Sequence, residues 1–203
     1  MSLLFILDMI GTVAFAASGA WVGVRKEMDL FGVVSLGMVT AIGGGTLRDL
    51  LLGDLPPFCL QNEIYFWVPA ATAVLVFVMH RHLPNLMQPL LYLDAIGLGT
   101  FVVIGVSKAL LFETGPFGAV LMGVLTGTAG GVIRDILANE VPLILRQEIY
   151  ASACIFGGIL LVILTRLESP EQLNLLLVAG SVILIRVLAI HRNWSLPKAH
   201  TLQ

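Results

Sequence analysis

Gly43-Gly44-Gly45-Thr46-Leu47-Arg48-Asp49 closes an apolar run of helix length, and the chain returns to it as Ala129-Gly130-Gly131-Val132-Ile133-Arg134-Asp135. Each helical glycine costs up to about 1 kcal/mol relative to alanine, and ionised side chains at bilayer depth are expensive. A chain that carries both features twice uses the region for more than crossing a membrane. Working outward, a shift of 86 residues lays Asp8–Asp49 on Asp94–Asp135, with 15 of those 42 positions identical. The matches are mainly Gly, Asp, Arg, Phe and Thr rather than the Leu and Val that chance would favour. After one deletion at Pro56-Pro57 the match resumes, with Glu63-Ile64-Tyr65 against Glu148-Ile149-Tyr150 and then Arg81 against Arg166. The sequence is an internal duplication.

Composition places this duplication in a bilayer. Charged residues make up 12% of the chain and hydrophobic ones 58%, with a mean hydropathy of +0.96, whereas soluble domains hold about 25% charged residues. A net charge of −2 gives no sign of a nucleic-acid partner. Cys59 and Cys154 and the four histidines have neither disulfide nor metal-ligand spacing, and the histidines all fall in expected loops or the tail. The first apolar stretch lacks a basic n-region and holds Asp8, so it reads as a span rather than a signal peptide.

About 20 helical residues cross a hydrocarbon core of about 30 Å. On that ruler spans are expected at 3–24, 31–52, 63–79, 90–112, 117–138, 148–165 and 173–190, joined by turns such as Gly53-Asp54-Leu55-Pro56-Pro57 and Gly115-Pro116. Each repeat then holds three spans, an odd number, so the second enters the membrane inverted. The expected fold is an all-α integral membrane protein, a single membrane domain over 1–203. Repeat 1 covers about 3–81, repeat 2 about 90–166, and a seventh helix about 173–190. Arg25, Lys26, Arg81, Arg146, Arg192 and Lys198 fall on one side and Arg166 alone on the other. That asymmetry puts the N-terminus outside and the C-terminus inside a bacterial cytoplasmic membrane.

The residues leave two readings of the glycines open. An unwound turn at Gly43, Gly44 and Gly45, and at Gly130 and Gly131, would present free carbonyls to a solute path. Alternatively, Gly37, Ala41 and Gly45, like Gly123, Gly127 and Gly131, form small-residue faces for close packing. Arg48 and Asp49 point about 100° apart, so each is expected to find a partner on another helix. Matching depth suggests Asp8 with Arg48 and Asp94 with Arg134, one pair near each mouth, with Asp49 and Asp135 beside them as pathway or clamp residues. Lys108 has no counterpart in the first repeat, where Val22 stands; it either snorkels or gates a path. Arg186 is expected to snorkel, and Glu63 and Glu148 to favour the starts of their helices. The stretch lacks the Gly-Lys-Ser/Thr ending of a phosphate loop, and no catalytic set is present.

These residues, the Gly43–Gly53 stretch above all, make the chain similar to the bacterial branch of the trimeric intracellular cation (TRIC) channel family, whose bacterial relatives are also labelled glycine transporters. The resemblance covers nearly the whole chain. It implies a homotrimer in lipid with one pore per subunit, permeant monovalent cations (K⁺, with Na⁺ also admitted) and no cofactor. It also implies glycine-bent second and fifth spans and a basic gate residue, for which Lys108 is the candidate. The second motif begins Ala129-Gly130-Gly131, a milder break than the first, and the chain has no room for the long basic tail of animal relatives. A secondary transporter for glycine or another small solute stays open as the alternative.

Overall fold

Helix ends fall where the sequence supplies capping chemistry. Ser2 accepts a hydrogen bond from the Phe5 amide at the start of α1 (Leu3–Arg25), and Asp29 accepts one from the Gly32 amide at 2.7 Å at the start of α2 (Leu30–Leu52). Helix α2 ends on Gly53 in the left-handed region, φ 74°, and α6 (Gly115–Leu137) ends just before Asn139, φ 54°. These two positions are 86 residues apart, and each is followed by the same closing bond, Asp54 N to Asp49 O and Glu140 N to Asp135 O. The remaining helices are α3 (Phe58–Gln61), α4 (Ile64–Met79), α5 (Gln88–Leu111), α7 (Leu143–Arg146), α8 (Ala151–Arg166) and α9 (Glu171–Arg192). This computed structural model describes residues 2–80, 88–146, 149–192 and 194.

Among the described residues five helices, α1, α2, α5, α6 and α9, are long and apolar enough to cross a membrane. The expected third and sixth spans form 16-residue helices, α4 and α8, each about 24 Å long at 1.5 Å per residue. The short helices α3 and α7 lie just before the expected spans, in stretches read as connections. Arg81, His82, Glu148, Lys198 and His200 lie outside the described residues, and with them the Arg81–Arg166 match and the expected role of Glu148. Glu63 stands at the start of α4 but makes no side-chain cap bond.

Four helices, α1, α2, α5 and α6, form the centre. A Cβ on Gly44 of α2 would strike the carbonyl oxygen of Thr126 on α6, and one on Gly130 of α6 would strike the carbonyl oxygen of Thr40 on α2. The contacts are reciprocal, and their register runs in opposite senses, so α2 and α6 cross antiparallel. Gly11 with Phe101 and Phe15 with Gly97 give the same relation between α1 and α5. Phe15 and Phe101 meet edge to face at 5.1 Å between ring centroids.

The crossing shows close packing at the glycines. Helices α2 and α6 run unbroken through Gly43–Gly45 and Gly130–Gly131, so the expected unwound turn is absent. The missing side chains let two backbones touch, and intact hydrogen-bonded helix is the cheaper state when a partner helix lies that close.

Candidate functional site

The Arg-Asp pairs stand one turn beyond the glycine crossing, toward opposite ends of the four-helix centre. At the end where α5 begins, Arg134 donates to Asp94 (Nη1–Oδ1 2.5 Å), to Asp135 (Nε–Oδ1 2.8 Å) and to Ser18 of α1. Asp94 also accepts from Tyr150 at 2.5 Å and from Ser18 at 3.2 Å. Arg134 and Asp94 are both 0% exposed. The second oxygen of Asp135 accepts the Leu143 amide at 2.8 Å and so caps α7. Each carboxylate is thus held by two or more donors, which is what a buried charge requires.

At the end where α1 begins, related residues are wired differently. Arg48 turns onto its own neighbour, with Nε and Nη2 at 2.8 and 2.7 Å from Asp49 Oδ1, and its guanidinium lies 5.6 Å from the centre of the Phe58 ring. Asp49 uses its other oxygen to cap α3 through the Phe58 amide at 2.9 Å. Asp8 accepts from the Tyr65 hydroxyl rather than pairing with Arg48. Lys108 reaches Asp49 at 2.6 Å and Asp54 at 2.5 Å.

The structure therefore brings Asp94 and Arg134 together and keeps Asp8 and Arg48 apart. Two side chains explain the difference. Ser18 bridges Arg134 to Asp94, and the matching position is Ile104, which offers no bridge. Lys108 adds a second cation to Asp49, where the matching Val22 adds none to Asp135. Adjacent Arg-Asp bonding also corrects the expectation from helix angles, because a long guanidinium stem folds back across the 100° that separates the Cα–Cβ directions. Lys108 ties α5 to α2 and to the turn after it.

Arg186 of α9 does not snorkel. It is buried, lies 4.8 Å from the Tyr150 ring centre and donates to the Ile149 carbonyl at 2.8 Å. His191 sits in the last turn of α9 rather than in a loop, 3.1 Å from the Tyr92 hydroxyl. Tyr65 and Tyr150, the carboxylate donors of the two clusters, were not among the candidates. Their signal was present in the repeated Glu-Ile-Tyr.

Outside the spans, Lys26 and Glu140 pair at 2.9 Å beyond α1 and α6. The Lys26 hydrogen bond holds the Glu140 carboxyl below its ordinary value. A lowered carboxyl contributes stability above its unfolded value and loses it as pH falls through the folded one. Lys26→Met should therefore cost at most about 1 kcal/mol for so exposed a pair. The loss should show near neutral pH and fade in acid, as read by unfolding in mixed micelles across pH.

A sequence model of the family described as Glycine transporter matches this chain twice, over residues 5–81 and 91–166. The UPF0126 inner membrane protein YadS of Escherichia coli K12 is 44% identical over 203 residues, covering 96% of this chain and 95% of its own. A UPF0126 membrane protein of Vibrio cholerae is 46% identical over 197 residues, covering 97% of this chain and 82% of its own. Among solved structures, a TRIC cation channel studied for conductance superposes at TM-score 0.91 with 41% identity, all of both chains being covered. The TRIC trimeric intracellular cation channel orthologue from Rhodobacter sphaeroides superposes at 0.92 with 39% identity, over 96% of this chain and 100% of its own. The relatives and structures named are channels or membrane proteins, not enzymes. With both halves matched and full-length relatives above 40% identity, the chain belongs to the Glycine transporter family and shares the fold of the TRIC cation channels.

Proposed function

We propose that the protein is a cation channel that conducts K⁺ through one pore per subunit of a homotrimer in a bacterial inner membrane. The observation that carries this is the end-to-end superposition on a TRIC cation channel at 41% identity. The proposed path runs between α1, α2, α5 and α6, past the two charged clusters and the glycine crossing. Gly43, Gly44, Gly45, Gly130 and Gly131 set the width between α2 and α6. Asp8, Arg48, Asp49, Asp94, Arg134 and Asp135 hold the helices and polarise the path, and Lys108 is the candidate gate through its hold on Asp49. No cofactor is needed, and lipid and permeant K⁺ or Na⁺ are the expected partners.

In this reading α4 and α8 complete seven spans with their adjoining short helices, and the halves 3–81 and 90–166 are inverted repeats followed by a seventh helix. The antiparallel register of α1 against α5 and of α2 against α6 supports the inversion. The N-terminus lies outside, supported by Arg25, Lys26, Arg146 and Arg192 on the side assigned to the cytoplasm. Purified protein in a planar bilayer under a KCl gradient should pass currents that reverse near the K⁺ equilibrium potential, and reversal near the Cl⁻ potential overturns the assignment.

The family description favours a second reading, a secondary transporter for glycine or another small solute. It requires saturable, solute-specific uptake into liposomes without unitary currents.

A further inference from the structure

The two clusters differ in burial and in the open space beside them. Beside Asp8 and Tyr65 lies an open cavity of about 380 Å³, bordered by Phe5, Ser107 and Lys108. A second cavity of about 330 Å³ adjoins it, and Ser107 and Leu4 line both. At the other end Asp94 and Tyr150 are sealed, at 0% and 1% exposure.

The residue matching Ser107 under the 86-residue shift is Trp21. Trp21 is 6% exposed and belongs to one buried apolar cluster with Val22, Leu36, Leu90 and Ala138. Leu90 and Ala138 each stand one helical turn beyond Asp94 and Arg134, so the indole packs one turn beyond that charged cluster. Leu90, 4% exposed, matches Leu4 of the open cavities. A buried tryptophan covers about 150–250 Å², far more than a serine at the matching position can. The Trp21 indole nitrogen finds no hydrogen-bond partner among the described residues, and the ring's neighbours in that cluster are apolar.

We infer that Trp21 is the plug that seals the Asp94 end of the path, and that Ser107 at the matching position leaves the Asp8 end open as a water-filled chamber. The chamber presents a carboxylate to entering small cations. The inference rests on the proposed path past the two clusters, but its test reads water access rather than flux.

The test uses full-length protein in lipid nanodiscs, where both ends meet water, and a small cationic methanethiosulfonate. Site-resolved mass spectrometry follows cysteines placed at Leu4 and Leu90. Leu4→Cys should react at least tenfold faster than Leu90→Cys. Adding Trp21→Ser should speed the reaction at position 90 at least tenfold, and Ser107→Trp should slow it at position 4 by a similar factor. Equal rates at the two positions with Trp21 in place overturn the inference, as does a folded Trp21→Ser protein in which position 90 stays unreactive. If Trp21→Ser fails to fold, Ser107→Trp decides alone, and an unchanged rate at position 4 overturns the inference. Absent K⁺ currents with this labelling pattern intact would remove the channel reading and leave the chamber; currents with equal labelling would do the reverse.

Discussion

Replacing Arg134 with Met should destabilise the protein by about 3–5 kcal/mol, the cost of breaking a buried ion pair from one side. Arg134 is fully buried and satisfies Asp94, Asp135 and Ser18 together. Its loss leaves two carboxylates facing each other in the helix centre, and Asp135 also caps α7. Unfolding in mixed micelles, read by tryptophan fluorescence, gives the measurement. Adding Asp94→Asn should restore part of the loss, because it removes one of the orphaned charges. Arg48→Met should cost less, because Lys108 still neutralises Asp49 and Asp8 keeps Tyr65. Equal losses at the two arginines would contradict the different wiring of the clusters.

Alanine at Gly44 or Gly130 should be the next most damaging change, at about 1–3 kcal/mol each. At both positions the new Cβ meets a backbone carbonyl of the opposing helix, Thr126 or Thr40. Backbone cannot turn aside as a side chain can, so α2 and α6 must separate. Gly43→Ala meets the end of the Ile133 side chain at 3.0 Å and the Gly130 Cα at an ordinary 3.8 Å, and should cost less. Gly180→Ala on α9 has open space and should be neutral or stabilising by up to about 1 kcal/mol through helix propensity. A damaging Gly180→Ala beside a harmless Gly44→Ala would remove the close crossing as the reason for these glycines. The double variant of Gly44 and Gly130 tests the crossing further: both relieve one interface, so their costs should fall short of additive.

Much of this arrangement was legible in the residues. The duplication, the apolar runs and the partnership of Asp94 with Arg134 follow from spacing, because a helix converts sequence distance into depth at 1.5 Å per residue. The same arithmetic placed Asp8 level with Arg48, yet those two do not pair. Depth says which residues are level, and side-chain reach and competing partners say which ones bond. Ser18 as a bridge and Lys108 as a second cation made the difference, and both act from helices outside the Arg-Asp pairs they influence. The glycine triplet was ambiguous for a related reason. A helix weakened by glycine unwinds if water or a solute takes up its carbonyls, and stays whole if another helix packs on it.

The sequence by itself determined an all-helical membrane chain, its two-fold repetition and the Arg-Asp pairs, because periodicity, apolar length and repeated spacing can be read along the chain. Only the tertiary structure decided that Gly44 and Gly130 clasp two continuous helices, that Arg186 lies buried on Tyr150, and that one cluster is sealed while its counterpart opens to a cavity. Those outcomes depend on which side chain of a neighbouring helix fills or leaves a given space, as Trp21 and Ser107 do, and no single segment carries that information.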